Sequence, residues 1–136
     1  MPPERGDIVI FRYPDNEEEL YVKRVIGLPG ETVDIRDGYI YIDGADTPLD
    51  EDYLKEDWTV ATGNYHFEVP EDSYLMLGDN RNDSWDARYW TNPYVREDKI
   101  LGKAASPVPS IFTASLPVSP ASTFRLLKMT VRALAE

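Results

Sequence analysis

Two segments of this sequence contain residues whose types and spacing suit proton transfer. The first is residues 21–30, YVKRVIGLPG, which place Lys23 among apolar residues. In water only about one lysine in 2,500 is a neutral amine at pH 7, because the pKa of the ammonium is about 10.4. Burial among apolar side chains disfavours the ammonium and makes the amine available as a general base. A buried Lys23 would therefore be able to take a proton from a nucleophile.

The apolar pattern around Lys23 does not decide whether the lysine is buried or exposed. Residues 20–26 are apolar on both faces of a strand, which favours a strand that is covered twice and a buried lysine. An edge-strand lysine that points to solvent and prevents aggregation also fits the pattern. Alternation does not decide whether Lys23 or its neighbour Arg24 faces the interior.

The second segment is residues 78–88, GDNRNDSWDAR, which follow an apolar strand. It begins with glycine, aspartate and asparagine, which are typical of tight loops. A calcium loop is disfavoured, because Arg81 stands where a ligand is required and no glycine or closing glutamate is correctly spaced. Asp86 and Arg88, two residues apart, are placed to form a charge pair on one face of an extended segment.

Together the two segments resemble signature blocks of the type I signal peptidases. That family has a Lys-Arg-x-x-Gly-x-Pro-Gly-Asp/Glu block, matched by residues 23–31, and a Gly-Asp-Asn-Arg-x-x-Ser-x-Asp-Ser-Arg block, matched by residues 78–88 with Ala87 in place of a serine. The resemblance implies that Lys23 is the general base of a Ser/Lys pair and that Ser84 orients it through a hydrogen bond. It also implies that the site is supported by residues of the same loop, namely Gly78, Asp79, Asn80, Arg81, Asp86 and Arg88.

The resemblance extends from about residue 5 to residue 104, since residues 5–11 and 100–104 are similar to the family's first and closing strands. In the family, a membrane helix leads into a Ser-Met-x-Pro-Thr segment that supplies the nucleophilic serine. In this sequence residues 2–4 come just before the first strand. We therefore expect the nucleophile, the membrane anchor and one substrate-binding strand to lie outside this chain, and the chain alone to be inactive.

The resemblance implies a serine endopeptidase that removes signal peptides from secreted preproteins at the outer face of the cytoplasmic membrane. Its partners would be signal peptides and, through the missing anchor, the membrane; an exposed strand edge would favour self-association. Two alternatives are a non-catalytic signal-peptidase-like protein of binding or assembly, for example of pili, and a relative of the self-cleaving repressors. Retention of Lys23 and Ser84 argues against the first, and the acidic charge argues against the second.

The segments that position these residues are short, β-branched and aromatic, and glycine, proline and aspartate separate them, which predicts an all-β domain. Residues 17–19 are predicted at a hairpin tip, and residues 45–57 as a solvated loop or short helix. The resemblance implies a mainly β fold, a signal-peptidase-like coiled β-sheet barrel. Strands are predicted at residues 6–13, 20–26, 32–36, 39–42, 58–62, 65–69, 74–77 and 99–103.

The composition changes at Ala104. Residues 1–104 are predicted to form one signal-peptidase-like domain. Residues 105–136 are an atypical Ser/Pro-rich C-terminal tail, without charge as far as Phe124 and then with the pattern of a short amphipathic helix. We assign the tail no function.

The composition argues against several other functions. The chain has 14 basic and 25 acidic residues and a net charge of −11, which disfavours nucleic-acid binding. It has no cysteine for a disulfide or a thiolate metal site. The acidic residues follow no recognised ligand spacing, so no metal or cofactor is expected. His66, the single histidine, is expected at a surface or half-buried position rather than in a catalytic triad.

Overall fold

A computed structural model describes residues 2–56, 58 and 63–104, and these residues fold mainly as β-strands. The prediction of a mainly β fold is confirmed. One turn of 3-10 helix, Glu97–Lys99, is the helical element in these ranges. In chain order the strands are β1 (Ile8–Tyr13), β2 (Asn16–Gly27), β3 (Thr32–Arg36), β4 (Tyr39–Ile42), β5 (Tyr65–Glu68), β6 (Ser73–Leu77), β7 (Tyr94–Arg96) and β8 (Ile100–Lys103).

The strands form two antiparallel sheets. The larger has the order β7-β6-β2-β1-β8, and the smaller has the order β4-β3-β5. Within the described residues neither sheet closes on itself, because the outer strands of each sheet do not pair with one another; the predicted barrel is present as two open sheets. Both sheets contribute to one apolar core, the larger through residues such as Phe11 and Val25 and the smaller through Val33 and Phe67.

Strand β2 lies in the middle of the larger sheet, between β1 and β6. Lys23 is opposite Val9 of β1, and Arg24 is opposite Leu77 of β6. The edge-strand alternative for Lys23 is therefore wrong. Both Lys23 and Arg24 are buried, on opposite faces of the strand, so neither of the two is the solvent-facing residue.

The two hairpins differ in how well the sequence predicts them. The β3–β4 hairpin turns at Asp37 and Gly38, both with positive φ (51° and 81°), as its two-residue turn requires. The β1–β2 hairpin turns earlier than predicted, because Tyr13 already pairs with Asn16. The three glutamates at 17–19 are therefore exposed residues of β2 and not the hairpin tip.

Other segments are confirmed, corrected or not described. Strands at 65–68, 73–77 and 100–103 agree with prediction, whereas β7 was not predicted. The loop after β4 contains no helix among residues 45–56, and Trp58 is not in a strand. The rest of the predicted strand at 58–62 and the tail at 105–136 lie outside the described residues. In the part of the chain that is described, no helix is long and apolar enough to cross a membrane.

Candidate active site

Lys23 projects from the central strand into the interior, and 2% of its surface is exposed. Along β2 it shares a face with Tyr21 and the buried Val25. Its Nζ lies 5.8 Å from the centroid of the Tyr21 ring. The amine is thus held among apolar and aromatic groups, as a lysine acting as a base requires.

Ser84 reaches Lys23 from the loop that follows β6. Two backbone hydrogen bonds, from the N–H groups of Asp83 (3.1 Å) and Ser84 (2.8 Å) to the carbonyl of Asn80, wind the loop into a turn. This turn directs the Ser84 side chain inward, where Lys23 Nζ donates to Ser84 Oγ at 3.2 Å. This hydrogen bond joins the two sequence motifs.

Asp86 and Arg88 form a completely buried ion pair, as predicted, but residues 87–89 form a turn and not the expected extended segment. Arg88 Nε donates to Asp86 Oδ1 at 2.8 Å, and Arg88 Nη2 donates to Asp86 Oδ2 at 2.9 Å. Asp86 Oδ2 also accepts the backbone N–H of Gly78 at 3.1 Å. Burial alone would lower the pKa of Arg88, but hydrogen bonding to Asp86 and its charge reverse this effect and raise it. The ion pair therefore connects the end of the 78–88 loop to Gly78, its first residue.

Arg24 and Asp79 form the second ion pair of the site. Arg24 Nε and Nη2 donate to the two carboxylate oxygens of Asp79 at 2.8 and 2.7 Å. Burial opposes the charge of Arg24, and Asp79 outweighs burial, so the pKa of Arg24 is raised. Arg24 also donates to the carbonyl of Gly6 at 2.8 Å, which attaches the segment before β1 to the site. This pair holds the loop against the strand that carries Lys23.

Arg81 is buried, and its hydrogen bonds connect residues within the 78–88 loop. Its Nε donates to the Gly78 carbonyl at 2.7 Å, and its own carbonyl accepts from Arg88 Nη2 at 3.0 Å. Its guanidinium also meets a carboxylate that the motifs do not contain, that of Glu51. Glu51 in turn accepts a hydrogen bond from Tyr53. Sequence reasoning missed these two residues, because an acidic segment such as 50–52 has the composition of a solvated loop.

Other candidate residues lie away from Lys23. Of the two serines in the described residues, Ser73 pairs with Arg96 at the far end of β6, so Ser84 alone is close to the lysine. His66 is 57% exposed on the smaller sheet, beside Asp34, in agreement with its expected surface position. No cluster of metal-ligating side chains is present among the residues that the structure covers.

Comparison with known proteins assigns the family. Residues 1–109 match the family model described as signal peptidase, peptidase S26. A probable signal peptidase I-2 of Synechocystis sp. is 42% identical over 110 residues, covering 75% of this chain and 46% of the relative. A signal peptidase I of Leptolyngbya laminosa is 42% identical, covering 76% and 51% respectively. The chain spans about half the length of these curated relatives.

A solved structure agrees with the sequence comparisons. The crystal structure of a signal peptidase I from Enterococcus faecalis superimposes with a TM-score of 0.63 and 36% identity, covering 76% of this chain and 97% of that one. The fold is that of a signal peptidase I domain. This chain belongs to the signal peptidase family, peptidase S26.

Proposed function

We propose that this chain carries the general-base half of a serine endopeptidase that removes signal peptides from secretory preproteins. The observation that carries the proposal is the buried hydrogen bond from Lys23 Nζ to Ser84 Oγ at 3.2 Å. Family membership supplies the reaction, and this contact supplies a desolvated amine with a fixed direction. In this assignment Lys23 is the base and Ser84 orients it.

The chemistry follows from a neutral Lys23 amine. The amine accepts the hydroxyl proton of a serine as that oxygen attacks the carbonyl carbon of the substrate, giving an oxyanion and an ammonium. The ammonium then gives its proton to the leaving amine as the peptide bond breaks. In the second half, the neutral Lys23 amine takes a proton from water as the water oxygen attacks the acyl ester. The Lys23 ammonium then returns that proton to the serine oxygen as the ester bond breaks, which releases the signal peptide and restores both the serine hydroxyl and the neutral amine. Ser84 would hold the amine in place throughout, and the loop residues Asp79, Arg81, Asp86 and Arg88 would fix Ser84.

We propose that the nucleophile comes from the Ser-Met-x-Pro-Thr segment of the family, located before residue 5, and that the chain as printed does not cleave signal peptides alone. The test compares the printed chain with the same chain extended by a family Ser-Met-x-Pro-Thr segment. We expect cleavage of a purified preprotein after its signal peptide by the extended protein. Cleavage by the printed chain that is lost in Lys23→Ala would show that the nucleophile lies within it.

The role of Lys23 is tested in the extended protein. We expect Lys23→Ala to lower kcat/KM by about 10²- to 10⁴-fold, as for loss of a general base. Lys99→Ala is the matched control, because Lys99 makes a surface ion pair with Glu17 at 2.8 Å away from the site. Equal activity of the Lys23→Ala and Lys99→Ala proteins would refute the assignment of Lys23.

The same proposal includes the cellular location of the domain and the molecules it binds. The domain would act on signal peptides at the extracytoplasmic side of the cell membrane, to which an N-terminal anchor would attach it. Support comes from the family alone, and protease accessibility of the full-length protein in intact cells tests the sidedness. Self-association through an open strand edge, such as β8, is tested by light scattering of the chain with and without the Ser-Met-x-Pro-Thr segment.

A further inference from the structure

Glu51 and Tyr53 lie in the loop after β4, and the Glu51 side chain contacts Arg81 of the loop that carries Ser84. Arg81 donates to both carboxylate oxygens of Glu51, from Nη1 to Oε1 at 3.1 Å and from Nη2 to Oε2. The side chains of Glu51 and Arg81 are 8% and 1% exposed. A bidentate pair shielded from water fixes the orientation of the guanidinium as well as its position.

Arg81 transmits this contact to the Lys23–Ser84 pair through Gly78. The Nε of Arg81 donates to the Gly78 carbonyl at 2.7 Å. Gly78 directly borders the pair: a β-carbon built on it would overlap Ser84 Oγ and lie 3.4 Å from Lys23 Nζ. A change in the position of Arg81 would therefore move the backbone against which Ser84 and Lys23 are packed.

Tyr53 connects Glu51 with the other ion pair of the site. Its hydroxyl donates to Glu51 Oε2 at 2.6 Å, and its ring centroid lies 3.9 Å from the guanidinium carbon of Arg24. Arg24 holds Asp79 and follows Lys23 directly on β2. Burial, and then the charge of Glu51, raise the pKa of Tyr53, so its hydroxyl remains a donor at neutral and moderately alkaline pH.

We infer that Glu51 and Tyr53 are positioning residues of this site, which hold Arg81 and Arg24 and thereby set the contact between Lys23 and Ser84. The inference rests on the proposed function of Lys23 as the general base. The charges support it, because the carboxylates of Glu51 and Asp79 balance two buried guanidiniums. A buried arginine that loses its partner is costly and reorients toward another acceptor or water.

Two variants test the inference without changing the net charge. Glu51→Asp keeps the carboxylate but withdraws it by one methylene, so it no longer reaches both nitrogens of Arg81. Tyr53→Phe removes the hydroxyl and keeps the ring over Arg24. The controls make the same chemical changes at exposed positions, Glu71→Asp and Tyr39→Phe. Circular dichroism and thermal unfolding establish that every variant is folded at the assay temperature.

The deciding measurement is the pH titration of Lys23 in the printed chain, followed by NMR of lysine labelled with ¹³C at Cε. Loosening the site admits water to the amine, so in both variants we expect the midpoint to move toward the ordinary value of about 10.4, by about 0.5 pH unit or more. The two controls should titrate like the wild type. A midpoint that is unchanged or lower in both variants would overturn the inference.

A kinetic measurement in the extended protein separates positioning from substrate binding. We expect Glu51→Asp and Tyr53→Phe to lower kcat by about 10- to 100-fold with KM changed less than about twofold, because a positioning residue acts on the Lys23–Ser84 pair and not on substrate binding. If the extended wild-type protein cleaves nothing, the proposed function fails. The titration in the printed chain still decides the positioning role in that case, since it requires no activity.

Discussion

Gly78 is packed directly against Ser84, with no room for a side chain between them. A β-carbon at Gly78 would overlap the Ser84 hydroxyl and lie 3.4 Å from Lys23 Nζ. No positive φ is involved at this position, so the restriction is one of space and not of backbone conformation. The first residue of the loop is therefore part of the wall that holds the lysine and the serine together.

We expect Gly78→Ala to displace Ser84 from Lys23 and to lower kcat of the extended protein by about 100-fold, the effect of a displacement near 1 Å at a reacting group. Some loss of thermal stability accompanies it, because the methyl group is forced into a close-packed interior. The measurement is signal-peptide cleavage at a temperature where the variant is fully folded.

A variant at a second glycine, Gly27, distinguishes the effect of crowding in the apolar core from the effect of crowding next to Ser84. A β-carbon at Gly27 would lie 2.9 Å from Val33 Cγ2 and 3.0 Å from Leu75 Cβ, among apolar atoms only. Gly27→Ala should also lower the melting temperature, with a much smaller decrease in kcat than Gly78→Ala. If Gly27→Ala and Gly78→Ala are equally stable and lower kcat equally, the closeness of Gly78 to Ser84 has no special role.

The buried pair of Asp86 and Arg88 gives a prediction for stability. Both side chains are 0% exposed, and Asp86 also accepts the backbone N–H of Gly78. Asp86→Asn leaves a buried guanidinium unpaired, which should lower the free energy of unfolding by about 3–5 kcal/mol. Urea unfolding followed by tryptophan fluorescence measures this difference.

The control for that prediction is the exposed pair of Arg96 and Asp98, which are likewise two residues apart and are 70% and 59% exposed. Asp98→Asn should change the free energy of unfolding by less than about 0.5 kcal/mol, because solvent screens such a pair. If Asp86→Asn costs no more than Asp98→Asn, burial of the pair does not contribute to the stability of the loop.

The sequence predicted the local parts of the structure and the identity of the two motifs. The turn at Asp37 and Gly38 is fixed by residues that tolerate positive φ, so a short window is sufficient to find it. Lys23 and Ser84 were paired through the family resemblance. Alternation alone could not decide whether Lys23 was buried. Its burial depends on β1 and β6 flanking β2 within the sheet and on the loop after β6 reaching the Lys23 side chain, and both are properties of the whole fold.

Two of the differences involve a turn of uncertain length and a partner that is distant in sequence. The glutamates at 17–19 were expected at a hairpin tip, since their charge gives no information on where pairing begins. Glu51 belongs to an acidic run that resembles a solvated loop, and its partner Arg81 is thirty residues away. To predict which of several acidic residues is buried, one must know which basic residue it pairs with. Only the fold shows that pairing.

His66 provides a test of the smaller sheet that is independent of the active site. Its Nδ1 lies 2.6 Å from Asp34 Oδ1 on the neighbouring strand β3, and this hydrogen bond raises the pKa of His66 above its ordinary value near 6.5. Because the chain has a single histidine, its NMR signal can be assigned without ambiguity. Asp34→Asn should lower the observed pKa, whereas Glu68→Gln, 4.0 Å away, should change it less.

The raised pKa of His66 also determines the sign of its contribution to stability. The folded protein binds the proton more tightly than the unfolded chain, so the contribution is fully present below the unfolded pKa near 6.5 and is lost as pH rises through the folded pKa. The wild type should therefore exceed His66→Gln in stability by more at pH 5.5 than at pH 8.5, as measured by urea unfolding. Because His66 is largely exposed, the difference should be small and should decrease with added salt. A difference that is larger at pH 8.5 would mean that the ion pair with Asp34 does not form in solution.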